Sequence, residues 1–316
     1  MKTPILLLGY NRPEKFRNLI TSISCVQPRE VLIAIDGPKK NQIDQLRVAE
    51  VHNAIGTINW KCNIDLLIRD SNLGLKRAVT EAISWAINKE GRIIVLEDDV
   101  IVGPNFIDYC RIALTQYSEE KCIGQVNGWN QVPYLNSSRK ELYCQKSIYN
   151  TSYAWATWED RWRMYDETLE WGLNVSLKEL SEICGSSRAA WQWKINFRNA
   201  SDNLVDSWSY RWLATMWSQR WYSLSPSRSL VTYCGYDEGT HTRTSRVRFQ
   251  NLVDSEFLPL DPVSFTDAKI NEYAESWLRK KYFNDSIFGV CRSIIARLVL
   301  LAITKFRNTF YNFIIK

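Results

Sequence analysis

The chain carries only two histidines, His52 and His241, and its eight cysteines form no Cys-x-x-Cys pair. Zinc sites and dithiol redox motifs need such ligands at close spacing, so neither is indicated. Acidic residues stop at Asp285, so the end of the chain has no negative side chain. No low-complexity tract occurs, and no uninterrupted apolar run approaches the ~18–20 residues of a spanning helix. The apolar stretch near the N-terminus is too short for a signal sequence. With the cysteines scattered, that points to a reduced, cytoplasmic setting. Glycine is sparse where a phosphate loop would need it: Leu8-Gly9-Tyr10-Asn11-Arg12-Pro13 holds one.

What is present is an ordinary globular composition, 45% hydrophobic and 23% charged over 316 residues. That length can bury a large core. The net charge of +6 is too mild to argue for nucleic acid, and no nucleic-acid partner is expected. It suits anionic small ligands or an anionic lipid surface. The unusual number is 14 tryptophans, eleven of them between Trp129 and Trp221. Several must be core; a cluster this dense near an active site also suits stacking on sugar rings by one or two of them.

The first hundred residues alternate strand and helix signals. Pro4–Tyr10, Val31–Asp36, Ile64–Ile68 and Ile93–Leu96 are short apolar runs ending in polar or glycine-containing turns. Between the last two, Leu75, Ala78, Val79, Ala82, Ile83 and Ala86 follow helical spacing. Pro13 suits an early helix position, with Asn11 as its cap. A helix from Pro104 to about Tyr117 and a strand over Ile123–Val126 follow. Strands alternating with helices imply a mostly parallel sheet flanked by helices, an α/β, Rossmann-like architecture.

Against that framework one cluster stands out. Glu97-Asp98-Asp99 directly follows the apolar run Arg92–Leu96. Ligands of open parallel sheets bind beyond the carboxyl ends of the strands. Carboxylates crowded there repel one another unless a cation or polar ligand is held between them. A solvated acidic turn is the plain alternative.

Leu8–Pro13, Ile35-Asp36-Gly37, Arg69–Arg77 and Leu96–Val100 end four successive strands in order. Together they resemble nucleotide-sugar glycosyltransferases with the GT-A fold, most closely N-acetylglucosaminyltransferase I and its bacterial relatives, over about residues 3–245. The resemblance implies Asp99 as ligand of Mn²⁺ or Mg²⁺, with Glu97 and Asp98 holding the ribose or metal-bound waters. It further implies Asp36 and Tyr10 at the base of a UDP-linked donor, with Arg12 and Arg77 at its phosphates. An exposed helix face is the alternative for Arg77, and a turn aspartate for Asp36.

Val205-Asp206-Ser207-Trp208 is similar to the segment that supplies the catalytic base in that family, with Val205 where the family has tryptophan. Asp206 is therefore the expected base of an inverting transfer, and Asp202, Glu159 and Asp160 are its rivals. The run from Gly235 to Arg243 resembles a loop closing over the donor, with His241 at its diphosphate or metal. His52 is given no role. Beyond Tyr282 the basic, apolar, helix-compatible tail reads as an interfacial membrane anchor, or else as a packed terminal helix. The expected organisation is a donor-binding half over 1–127, an acceptor-binding and catalytic half over 128–250, and a helical membrane-associating extension over 251–316. The expected activity moves a sugar to a saccharide or lipid-linked acceptor in surface-polysaccharide assembly, from a position peripheral to the inner membrane face. A sugar nucleotidyltransferase and a non-catalytic carbohydrate-binding protein are the rival readings.

Overall fold

The computed structural model describes residues 3–132, 144–235 and 267–314, with 306–314 as backbone only. The chain divides into two compact units, Met1–Met164 with Trp221–Asn271, and Tyr165–Arg220 with Glu272–Lys316. The sequence division at 127/128 falls inside the first unit.

The first unit is built on an eight-stranded mixed sheet. β1 (Ile5–Gly9), β2 (Glu30–Ile35), β3 (Asn63–Ile68) and β4 (Arg92–Glu97) lie in the order β3-β2-β1-β4, all parallel. β8 (Ala154–Trp158) runs antiparallel to β4 and to β6 (Ile123–Asn127). β9 (Tyr222–Pro226) is parallel to β6, and β7 (Cys144–Ser147) closes the edge antiparallel to β9. A separate antiparallel ribbon joins β5 (Val100–Val102) to β10 (Val231–Tyr233). Val31–Ile35 and Ile93–Leu96 are buried throughout. Such a run has no polar face because helices or loops cover both sides of the strand.

The helices follow from the apolar spacing. In α1 (Pro13–Ile23), Phe16, Leu19, Ile20 and Ile23 form the buried stripe. Each such side chain contributes about 1.5–3 kcal/mol by leaving water. Pro13 stands at the first position, where its missing N–H costs nothing. Asn11 is not the cap; Arg12 occupies that position, and the Asn11 amide reaches α2 (Gln42–Ala54) instead. α3 (Leu75–Glu90) runs four residues past the expected Ala86 and stops at Gly91, whose φ of +72° ends the helix without strain. α4 (Phe106–Gln116) starts two residues after Pro104, because a turn from Phe106 N–H to the Gly103 carbonyl comes first. α5 (Glu159–Trp162) carries Arg161, whose buried guanidinium lies 4.5 Å from the Trp158 ring and donates to carbonyls of Tyr117, Ser118, Glu120 and Ile123.

The second unit is helical and owes its core to the tryptophan-rich segment. It contains α6 (Glu170–Asn174), α7 (Leu177–Cys184), α8 (Ser187–Ser201), α9 (Ser209–Ser218), α10 (Glu272–Trp277) and α11 (Ile287–Ile314). Trp193 meets Tyr210 and Trp217 edge-on and Phe197 and Phe283 at a tilt, and Trp212 is wholly buried. Trp212 lies within α9 and Trp208 caps its start. Trp221 lies on no helix; it packs on β6, where a Cβ at Gly124 would meet its ring at 2.8 Å.

α11 is a single helix of 28 residues, because the arginines and lysines that interrupt its apolar runs are themselves good helix formers. Its segment Ile287–Lys305 is long and apolar enough, by length and composition, to cross a membrane. Its uninterrupted apolar runs stay short, since Arg292 and Arg297 divide them.

Candidate functional site

β1 and β4 are neighbours in register, Leu8 opposite Glu97, so the residues that follow each strand leave the sheet side by side. The chain builds β2 and β3 on one side of β1 and returns to add β4 on the other. That reversal makes the carboxyl ends of β1 and β4 a topological switch point, the position where open α/β sheets hold their ligands.

Three segments meet there. Arg12, at the start of α1, donates through Nη1 to Asp98 Oδ1 at 3.1 Å and to Asp99 Oδ2 at 3.3 Å. The β5–β10 ribbon sets Tyr233 opposite Val100 and carries the chain back beside the triplet. There Cys234 N–H donates to the Asp99 carbonyl at 2.7 Å, and Lys15 Nζ donates to the Cys234 carbonyl at 3.0 Å. A Cβ on Gly235 would stand 2.3 Å from the Tyr233 hydroxyl and 2.7 Å from Asp99 Oδ2. Only glycine lets the backbone approach this closely. Tyr233 in turn packs on Tyr153 at 4.2 Å, and Tyr153 meets the edge of Trp129 at 4.7 Å.

The electrostatics are those of an overcrowded anion cluster. Burial and the two neighbouring aspartates push the Glu97 carboxyl well up. Burial, with Asp99 beside it, pushes Asp98 up to about 7 against the pull of Arg12. Burial also raises Asp99, although Arg12 and Lys15 oppose it. Among the described residues two cations face these three carboxylates, so their full ionisation favours a further positive charge. Asp99 Oδ1 is buried and makes no hydrogen bond. That orphaned oxygen fits a hard divalent cation taking one protein carboxylate, its other positions left for water and a diphosphate. Among the described residues no group of three or more His, Cys, Asp or Glu side chains is arranged to hold a metal by itself.

The other expected residues divide. Asp36 is buried at the end of β2, but its carboxylate is engaged: Oδ1 accepts from the N–H groups of Gly37 and Leu73, and Oδ2 from the Asn72 amide. It ties the loop after β2 to the loop before α3. Gly37 makes that junction feasible, since a Cβ there would lie 2.3 Å from the Ser71 nitrogen. Tyr10 donates to Asp44 Oδ2 at 2.6 Å. Arg77 is exposed on α3, its Nε 2.6 Å from Glu81, which also receives Arg69.

Asp206 is exposed in the second unit, between α8 and α9. Each of its rivals is paired: Asp202 with Arg297, Asp160 with Arg161 and Lys121, Glu159 with Arg163. His241 and the rest of its loop beyond Gly235 lie outside the described residues. His52 is in α2, and burial shifts its imidazole toward the neutral form.

One residue of this region escaped the sequence reading. Asp44, on the first turn of α2, is buried and accepts from Tyr10, from Asn11 and from the Lys39 N–H, each at 2.6 Å. Burial works to raise its pKa, but the hydrogen bonds from Tyr10, Lys39 and Asn11 outweigh that and hold it low. Asp44 thus fastens the loop after β1 to the loop after β2. Its only sequence signal was Asn41 three residues earlier, a helix cap that accepts the Asp44 N–H.

Comparison with protein-family models gives no match, and neither does comparison with curated proteins.

Proposed function

We propose that this protein is a metal-dependent glycosyltransferase with a GT-A-type fold. It would move a sugar, with inversion, from a nucleoside-diphosphate donor, UDP-linked, to a saccharide or lipid-linked acceptor. The observation that carries the reading is the junction of Arg12 with Asp98 and Asp99 at the switch point between β1 and β4. A site with a guanidinium, a lysine and a surplus of buried carboxylates suits a magnesium or manganese diphosphate, in which both signs of charge arrive together.

In this reading Asp99 holds Mn²⁺ or Mg²⁺ through its free oxygen, and Arg12 contacts the diphosphate. The cation would stabilise the negative charge that grows on the departing nucleoside diphosphate. Glu97 and Asp98 hold the ribose or metal-bound waters. Tyr10 borders the base, while Asp36 acts through the loop of Asn72 and Leu73 that it holds. Arg77, engaged with Glu81 at the surface, has a smaller part at the phosphates. Asp206 takes the proton of the acceptor hydroxyl, and its exposed setting, without an ion pair among the described residues, favours it over the paired Asp202, Glu159 and Asp160. The His241 loop would close over the donor. A cytoplasmic enzyme peripheral to the inner membrane face, acting in surface-polysaccharide assembly, would meet lipid-linked acceptors there.

Thermal stabilisation by nucleoside diphosphates, with and without Mn²⁺, tests this directly. UDP should stabilise the wild type only with the metal, and Asp99→Ala should abolish the effect. No stabilisation by any nucleoside diphosphate, or an unaffected Asp99→Ala variant, would refute the site.

A further inference from the structure

The terminal helix α11 packs on α8 and leaves most of its apolar side chains open. Its least exposed side is mixed, Gly289, Ser293 and Arg297 beside half-buried Val290 and Leu300. A Cβ on Gly289 would stand 2.5 Å from the Gln192 amide of α8. Two turns on, Arg297 donates to Asn199 Oδ1 at 2.7 Å and to Asp202 Oδ2 at 2.6 Å. The start of the helix is also held: buried Asp285 accepts from Ser186 and Arg188 and is ion-paired with Arg279. The opposite side is apolar and open, with Phe288 74%, Ile295 60% and Leu298 61% exposed. Arg292 is exposed on that same side, one turn after Phe288, where its long side chain can reach headgroups. Lys305, Lys280 and Lys281 are exposed too, and no acidic residue follows Asp285.

We propose that α11 lies in the plane of an anionic bilayer, its face of Phe288, Ile295, Leu298 and Val299 in the lipid, while the Arg297–Asp202 clamp holds its back to α8. Length alone would let Ile287–Lys305 cross a membrane. The clamp argues otherwise. Arg297 lies about 15 Å along the helix from Ile287, near the middle of a ~30 Å hydrocarbon core. Crossing would carry its ion pair with Asp202, and the polar face of α8, into that core, where charges are most costly. Lying flat, the helix buries only the apolar face, and its basic residues meet lipid headgroups. This rests on the membrane reading of the tail and is independent of the transferase reading.

Flotation of the full chain with vesicles tests it, using phosphatidylcholine alone or mixed equally with phosphatidylglycerol. The wild type should float with the mixed vesicles and be released by alkaline carbonate. The double variant Ile295→Asp, Leu298→Asp should lose flotation by about tenfold or more. Both substitutions are at open positions, so an unchanged circular dichroism spectrum is expected. Flotation that resists carbonate would overturn the in-plane orientation while sustaining the membrane reading. Flotation with neither vesicle would overturn both, and a dimer by light scattering would then assign the face to a second copy. UDP stabilisation of the same variant reads the donor site separately.

Discussion

Gly235 and Asp99 meet so closely that no side chain fits between them: a Cβ on Gly235 would lie 2.7 Å from Asp99 Oδ2. The two residues are 136 positions apart, 235 − 99, and the β5–β10 ribbon brings them together. An alanine at 235 must displace either the Asp99 carboxylate or the Tyr233 hydroxyl.

Gly235→Ala should therefore weaken metal-dependent UDP binding about tenfold or more, the ~1.4 kcal/mol of one displaced charged contact. Isothermal titration with Mn²⁺ present measures it. Wild-type affinity in that variant would separate the ribbon from the site.

Arg12→Ala leaves Asp98 and Asp99 facing each other without their nearest cation. Their protonation should become easier and binding of UDP should fall, while Mn²⁺ alone should bind no worse, since one competing positive charge is gone. Titrations with metal alone and with metal plus UDP distinguish the two effects.

Asp44 sets an acid-side dependence of stability. Its folded pKa is depressed, so its contribution is present above the ordinary aspartate range and is lost as pH falls through the lower folded value. Asp44→Asn should flatten that acid limb in melting temperature against pH. Asp44→Ala, which strands Tyr10, Asn11 and the Lys39 N–H, should cost about 2–3 kcal/mol in urea denaturation.

Arg161 is a buried guanidinium that satisfies four carbonyls near the end of α4 and pairs with Asp160. Arg161→Ala leaves those carbonyls without their donor and opens a cavity beside Trp158. A loss of about 3–5 kcal/mol is expected by chemical denaturation. A loss under ~1 kcal/mol would mean water replaces the side chain fully.

Asp206→Asn should bind donor and metal as the wild type does and lose transfer by about two to four orders of magnitude. Retained transfer would move the role of base to another carboxylate.

The alternating first half was legible because short apolar runs ending in turns are a local signal. β1, β2 and β4 bury theirs, while β3 at the sheet edge leaves Ile64, Leu66 and Ile68 exposed. β1, β2, β3 and β4 fall within a residue or so of their expected bounds. The acidic triplet was legible for the same reason, since a strand end is a local event. Asp44 was not, because its three donors come from two different loops. Asp36 shows the same limit: its position at a strand end could be read, but its engagement with Asn72 and Leu73 could not.

The sequence by itself determined the strand–helix alternation, the carboxylates at the end of β4 and an acid-free basic tail, all set by neighbours a few residues apart. Tertiary structure alone decided that Arg12 bridges Asp98 and Asp99, that Gly235 closes on Asp99, and that α11 turns its mixed side to α8 and most of its apolar side chains outward. Those contacts join segments tens to hundreds of residues apart, and their energy exists only once the sheet order and helix packing are in place.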